Sequence, residues 1–171
     1  MLCLTACDYN AIYLENESQR DFLHEIKDRI AKTQKTQSKD EPIITVFICE
    51  RSLDFGKILT PDLSHMKNFD GMPAIPVTCI GVINDTIIKD TFEFGANGMV
   101  VIGCRTLDCH YREGMRQEES IIGRYDAMGH DHEHKSKLFI LRVSPFEIEE
   151  LEEEIKNIKK ELKGENTNAS Y

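Results

Sequence analysis

The stretch Gly98-Met99-Val100-Val101-Ile102-Gly103-Cys104-Arg105-Thr106-Leu107-Asp108-Cys109-His110-Tyr111 decides how this chain folds. It starts with an unbroken apolar run, Met99 to Ile102, bounded by glycines. A short run of that kind, rich in β-branched residues, reads as a strand buried on both faces of a sheet. The chain is expected to turn at Gly103 and to present Cys104 and Cys109, with Asp108 and His110 beside the second sulfur. A cysteine-bearing segment just past a buried strand is a place for chemistry, because open α/β sheets bind ligands outside the carboxyl ends of their strands.

Three other stretches resemble the strand part of this one. Ile43 to Ile48 is apolar and β-branched, and Cys49 follows it directly. Residues 71–78 lead through a short extended segment to Cys79, and residues 137–143 form a fourth strand. Helical patterns alternate with these strands. Residues 85–94 follow Asn84, a natural N-cap, with Ile87, Ile88, Thr91 and Phe92 pointing inward and Gly95 as the stop. A helix is expected over residues 113–128, and a weaker one over 53–67, where Pro61 interrupts the pattern. The last helix begins with a capping box, Ser144 with Glu147, and carries Pro145 at its first position. Its apolar stripe is Ile148, Leu151, Ile155, Ile158 and Leu162, and Gly164 ends it. Strands alternating with helices predict an α/β fold: a parallel sheet of about four strands with flanking helices, a Rossmann- or flavodoxin-like layer closed by a long C-terminal amphipathic helix.

Upstream of this unit the pattern changes. Phe22, Ile26 and Ile30 mark an amphipathic helix over residues 16–32, and the polar segment 33–41 reads as a linker closed by Pro42. Cys3 and Cys7 have the C-x3-C spacing that ends a bacterial ferredoxin cluster motif, without the upstream cysteines and with Asp8 where proline is usual. The expected organisation is therefore a ferredoxin-motif remnant at 1–14, a helix and linker at 15–41, the α/β domain at 42–164 and a frayed tail at 165–171.

Composition limits the possible partners. The 171 residues carry a formal net charge of -9, which disfavours nucleic acid and anionic membranes as partners. No apolar run approaches the roughly 20 residues of a membrane span, and the first residues lack the basic start and apolar core of a signal peptide. A cytoplasmic protein is expected, and in that compartment six cysteines read as metal ligands, redox thiols or buried small hydrophobes rather than disulfides.

In a parallel sheet all carboxyl ends point one way, with neighbouring strands about 4.8 Å apart. Cys49, Cys79 and Cys104 would then share one edge, and Cys109 lies on the loop just beyond. Four thiolates suit a 2Fe-2S cluster. Zinc also takes four sulfurs, but usually from C-x2-C knuckles, which this chain lacks. A cluster, zinc, thiol redox chemistry and plain core packing are thus the four occupations open to these cysteines. Asp108 and His110 would either tune the site or only cap the turn. His130, His132 and His134 alternate in a polar loop, where metal binding competes with simple solvation. No Ser/His/Asp set or carboxylate pair suggests a catalytic centre.

The segment from Gly95 to Gly114 closely resembles the delta subunit of methyl-viologen-reducing hydrogenases, through its G-C-x4-C-H-Y core and the preceding Val77-Thr78-Cys79-Ile80-Gly81. The resemblance covers about residues 42–163. It implies an iron–sulfur electron carrier without substrate chemistry of its own, ligated by Cys49, Cys79, Cys104 and Cys109. Its implied partners are a hydrogenase or formate dehydrogenase on one side and a flavin-containing heterodisulfide-reductase subunit on the other. The family usually has C-x-x-C in the first segment, where this chain has Cys49-Glu50-Arg51-Ser52. Ser52 therefore stands in place of a cysteine, either as a bystander or as an oxygen ligand.

Overall fold

The computed structural model describes residues 19–38, 41–112, 114, 116, 120, 123 and 137–164. The strands β1 (Ile44–Cys49), β2 (Ala74–Val77), β3 (Gly98–Cys104) and β4 (Leu138–Val143) form one sheet in the order β2-β1-β3-β4. All three pairings are parallel. Every residue of β1 and β3 is buried. This is the α/β parallel arrangement expected from the apolar runs, and its strand order is that of a doubly wound sheet.

Helices cover both faces. On one face α1 (Gln19–Thr36) and α3 (Asp85–Glu93) bring Ile26, Ile30, Ile87, Ile88 and Phe92 onto Phe47, Ile75, Met99 and Val101. On the other, α4 (Ile148–Leu162) sets Leu151, Ile155 and Ile158 against Val46, Ile48, Val100 and Ile102. That second face is completed by Leu53, Leu59, Met66 and Met72 from the connection between β1 and β2.

The local signals for α3 are realised. The Asn84 side chain accepts a hydrogen bond from the Ile87 N–H at 3.0 Å, a cap that contributes about 1 kcal/mol. The four residues expected inward are the buried ones, and Gly95 ends the helix at φ +101°, where a side chain would be strained. At the other end of the chain Gly164 plays the same part at φ +73°.

Four local expectations need correction. The first helix does not stop at residue 32 but runs to Thr36, into the segment expected to be a linker. Thr33 is buried there, donating to Arg29 O at 2.9 Å and lying 3.1 Å from His65 Nε2. A partner 32 residues away thus supports a turn of helix that has no apolar periodicity. Arg29 also donates to Leu63 O at 2.6 Å and to Ala74 O on the edge strand β2.

The helix expected over residues 53–67 shrinks to α2 (Phe55–Ile58), capped by Asp54. Beyond it Leu63 and Asn68 take positive φ values of 55° and 64°, incompatible with a continuing right-handed helix. The strand β3 does not turn at Gly103. It continues, with Gly103 paired to Arg142 and Cys104 to Val143. Finally, α4 starts at Ile148, after a turn in which the Glu147 carboxylate accepts from the Ser144 N–H at 2.9 Å. That half of the capping box is formed. Arg116, Ser120 and Gly123 are helical, as is Gly114, but most of the helix expected over 113–128 lies outside the described residues. So do Cys3, Cys7, His130, His132 and His134. Among the described residues no helix is long and apolar enough to cross a membrane.

Candidate metal centre

The strand order creates the site. From β1 the chain crosses to β2 on one side, and from β3 it continues to β4 on the other. The two connections diverge between the carboxyl ends of β1 and β3, the topological switch point at which such sheets bind ligands. Cys49 is the last residue of β1 and Cys104 the last of β3. Their sulfurs lie 3.8 Å apart, with the residues 3% and 5% exposed. Two thiolates sharing a tetrahedral metal with bonds of about 2.3 Å stand about 3.8 Å apart, so this pair is spaced for one ion.

Cys79 is not at a strand end, because β2 stops at Val77. It lies two residues on, extended, at the head of a single 3-10 turn, Ile80–Val82. This segment folds over Cys49, whose thiol points at Thr78 O at 3.6 Å. Cys109 follows the 3-10 turn Thr106–Asp108 and is half-buried. Gly114 joins the two loops: a Cβ there would overlap the Cys79 sulfur and lie 3.5 Å from the Cys109 sulfur. Cys79 and Cys109 therefore flank the same missing methyl group. Cys49 and Cys104 are in direct contact, Cys79 and Cys109 both approach Gly114, and Cys109 is close enough to Cys104 to act on its charge. Among the described residues no three His, Cys, Asp or Glu side chains converge on a single point to hold an ion.

The hydrogen bond between the two thiols, assisted by backbone amides, polarises the buried pair. The Cys49 thiol is held below its usual range, chiefly by the hydrogen bond from Cys104 and further by the Arg51 and Ile80 amides, against the opposing effect of burial. Cys104 is pushed up, first by donating that same bond, then by burial, with the His110 amide acting the other way. The pair therefore gives up its first proton readily and retains its second. Neutral buried thiols usually resist ionisation. Here the hydrogen bond from Cys104, helped by the Arg51 and Ile80 amides, makes one thiolate available, as ligation requires.

The other expected site residues divide. Ser52 is buried, and its hydroxyl donates to Cys49 O at 2.7 Å while its amide donates to the same carbonyl at 3.0 Å. It clamps the loop that leaves β1. Asp108 and His110 are exposed; the His110 ring stacks edge-on against Tyr111 at 4.9 Å, and His110 meets the site through its backbone. The Arg51 and Ile80 amides and Gly114 were not singled out as site groups. Amide donors leave no side-chain signature, whereas Gly114 closes the very segment that carries the family resemblance.

The fold and site together define a doubly wound α/β domain with a four-thiol centre at its switch point. Residues 44–164 match the family described as methyl-viologen-reducing hydrogenase, delta subunit, and the chain belongs to that family. It is 30% identical over 89 residues to the iron–sulfur D-chain of the vhc F420-non-reducing hydrogenase of Methanococcus voltae, an alignment covering 52% of this chain and 61% of that protein. It is 28% identical over 107 residues to the A-chain of the ferredoxin:CoB-CoM heterodisulfide reductase of Methanosarcina mazei, covering 61% of this chain and 12% of that one. The chain thus spans less than two thirds of either relative.

Proposed function

We propose that this chain is an iron–sulfur electron-transfer component of a cytoplasmic oxidoreductase complex. It would relay electrons between a hydrogenase or formate dehydrogenase and a heterodisulfide-reductase-type flavoprotein. The gathering of Cys49, Cys79, Cys104 and Cys109 around the switch point, with Cys49 and Cys104 in contact, carries this proposal. The family membership and the names of the two relatives support it.

The donor set suits a 2Fe-2S cluster, which when bound would supply one-electron chemistry. The chain's own residues do the rest. The four thiols are the ligands. The Arg51, Ile80 and His110 amides donate toward sulfur, an arrangement that tunes the potential of such centres. The buried strand ends exclude water on the inner side. Cys109, half-buried, faces the side from which a redox partner would approach.

Anaerobic purification followed by visible spectroscopy and metal analysis tests the proposal. Two irons and two sulfides per chain, with absorption that bleaches on dithionite, are expected. A colourless chain holding one zinc would instead indicate an adaptor that bridges other chains of the complex. A colourless, metal-free chain would indicate a thiol-redox domain. Either result overturns the carrier role.

A further inference from the structure

We propose that the four cysteines act as two chelating pairs, Cys49 with Cys104 and Cys79 with Cys109, each holding one iron, and that Gly114 is the positioning residue of the second pair. This rests on the carrier role above and specifies how the ligands are shared.

The first pair is set by the sheet. Neighbouring parallel strands hold Cys49 and Cys104 with 3.8 Å between sulfurs, the spacing of two thiolates on one tetrahedral ion. The second pair is set by loops, and Gly114 is where those loops meet. Its backbone is not in the left-handed region, unlike Gly71, Gly95 and Gly164, so its conformation does not demand glycine. Glycine is also a poor helix residue, yet Gly114 is helical. Space is the remaining reason. A Cβ at 114 would collide with Cys79 Sγ, pushing it from its place, and would meet Cys109 Sγ at an ordinary contact distance of 3.5 Å. Cys79 is 3% exposed, so its sulfur has little room to retreat. Gly123, by contrast, would meet nothing within 4 Å and serves as a control.

The test uses the full chain loaded anaerobically with iron-57 and sulfide and read by Mössbauer spectroscopy in the oxidised state. Cys49→Ser with Cys104→Ser should leave one iron unaltered and change the other, giving two unequal doublets of equal area. Cys49→Ser with Cys79→Ser should change both irons and leave no unaltered doublet. The reverse pattern overturns the pairing. Should the double variants fail to load, diamide oxidation of the metal-free wild-type chain gives a second measurement. The reagent takes two electrons and two protons from each dithiol as the S–S bond forms. Peptide mapping should then find Cys49–Cys104 and Cys79–Cys109, and predominant Cys49–Cys79 or Cys104–Cys109 links overturn the proposal.

Gly114→Ala should lose at least half of the bound iron with an unchanged far-ultraviolet circular dichroism spectrum, and any residual cluster should show one perturbed iron. Gly123→Ala should match wild type. Full loading with a wild-type spectrum in Gly114→Ala refutes the role given to that glycine. Failure of the wild-type chain to take up any cluster refutes the carrier role itself, a result distinct from any wrong pairing.

Discussion

The sulfurs of Cys49 and Cys104 touch at 3.8 Å across 55 residues of sequence. They meet because β1 and β3 are sheet neighbours although β2 lies between them in the chain. Cys104→Ala removes one sulfur of the pair and, with it, the hydrogen bond between Cys104 and Cys49. The variant should fold yet lose the visible chromophore after anaerobic iron loading. Absorption and iron content equal to wild type would mean that the metal sits elsewhere.

Ser52→Ala separates clamping from ligation. The hydroxyl donates to Cys49 O at 2.7 Å, and the Ser52 amide already donates to the same oxygen, so the carbonyl keeps one partner. The expected loss is about 1 kcal/mol in urea denaturation, with iron content and band positions unchanged. Shifted charge-transfer bands would instead mark Ser52 as an oxygen ligand.

The thiol pair gives the metal-free chain a distinctive pH profile. Cys49 titrates lower in the folded chain, near pH 6, than the roughly 8.5 of a free thiol. Its contribution is therefore complete above the free-thiol value and is lost as pH falls through the folded one. Cys104 is shifted up, so its contribution is present below the free-thiol value and lost as pH rises. Native chains thus hold one proton on the pair where unfolded chains hold two, and still one where unfolded chains hold none. The urea midpoint should climb between about pH 6 and pH 8.5 and then decline, and Cys104→Ala should flatten both limbs. A wild-type profile without a maximum in this range would contradict the shared proton.

Two apolar side chains stand in solvent at the edge that carries the cysteines. Leu107 is 99% exposed and Phe146 95% exposed, on the loops that follow β3 and β4. An ion pair between Arg105 and Glu147 ties these loops together. Burying such side chains in an interface is worth about 1.5–3 kcal/mol each. Leu107→Asp with Phe146→Asp should leave the chromophore intact and weaken binding of the proposed flavoprotein partner by at least about tenfold, measured by titration. Unchanged affinity would place the partner on another surface.

The helix α1 belongs energetically with the sheet. Ile30 is fully buried against the cluster that includes Phe47 and Ile88. Ile30→Ala should cost about 2–5 kcal/mol, visible as a lowered urea midpoint. An effect within about 0.5 kcal/mol, as for a surface position, would show that the helix docks only loosely.

The elements legible in the sequence are those whose causes lie within a few residues. The β-branched runs gave four buried or half-buried strands, and Asn84 with its inward set placed α3. The C-terminal stripe placed α4. What escaped depends on distant groups. The last turn of α1 leans on His65, and the connection after β1 folds around backbone turns at Leu63 and Asn68 rather than continuing as a helix. At the site the gathering of the four cysteines at one edge followed from parallel strands and the loops just beyond them. Which sulfurs lie closest did not: the contact of Cys49 with Cys104 depends on strand order, and the approach of Cys79 and Cys109 to Gly114 depends on where β2 stops and on the loops beyond it.

Burial of β1 and β3 on both faces has a consequence for folding. A strand with one apolar and one polar face cannot slip by one residue without turning its core outward. These two strands have no such penalty to keep them aligned. At the amino end Asn97 pins them, its amide donating to Ile43 O at 2.7 Å and its side chain accepting from the Ile43 N–H at 2.8 Å. At the carboxyl end the comparable mark is the meeting of Cys49 and Cys104. An ion held by both sulfurs would lock the second end of the alignment, so that loading the site would also favour the correct register of β1 against β3.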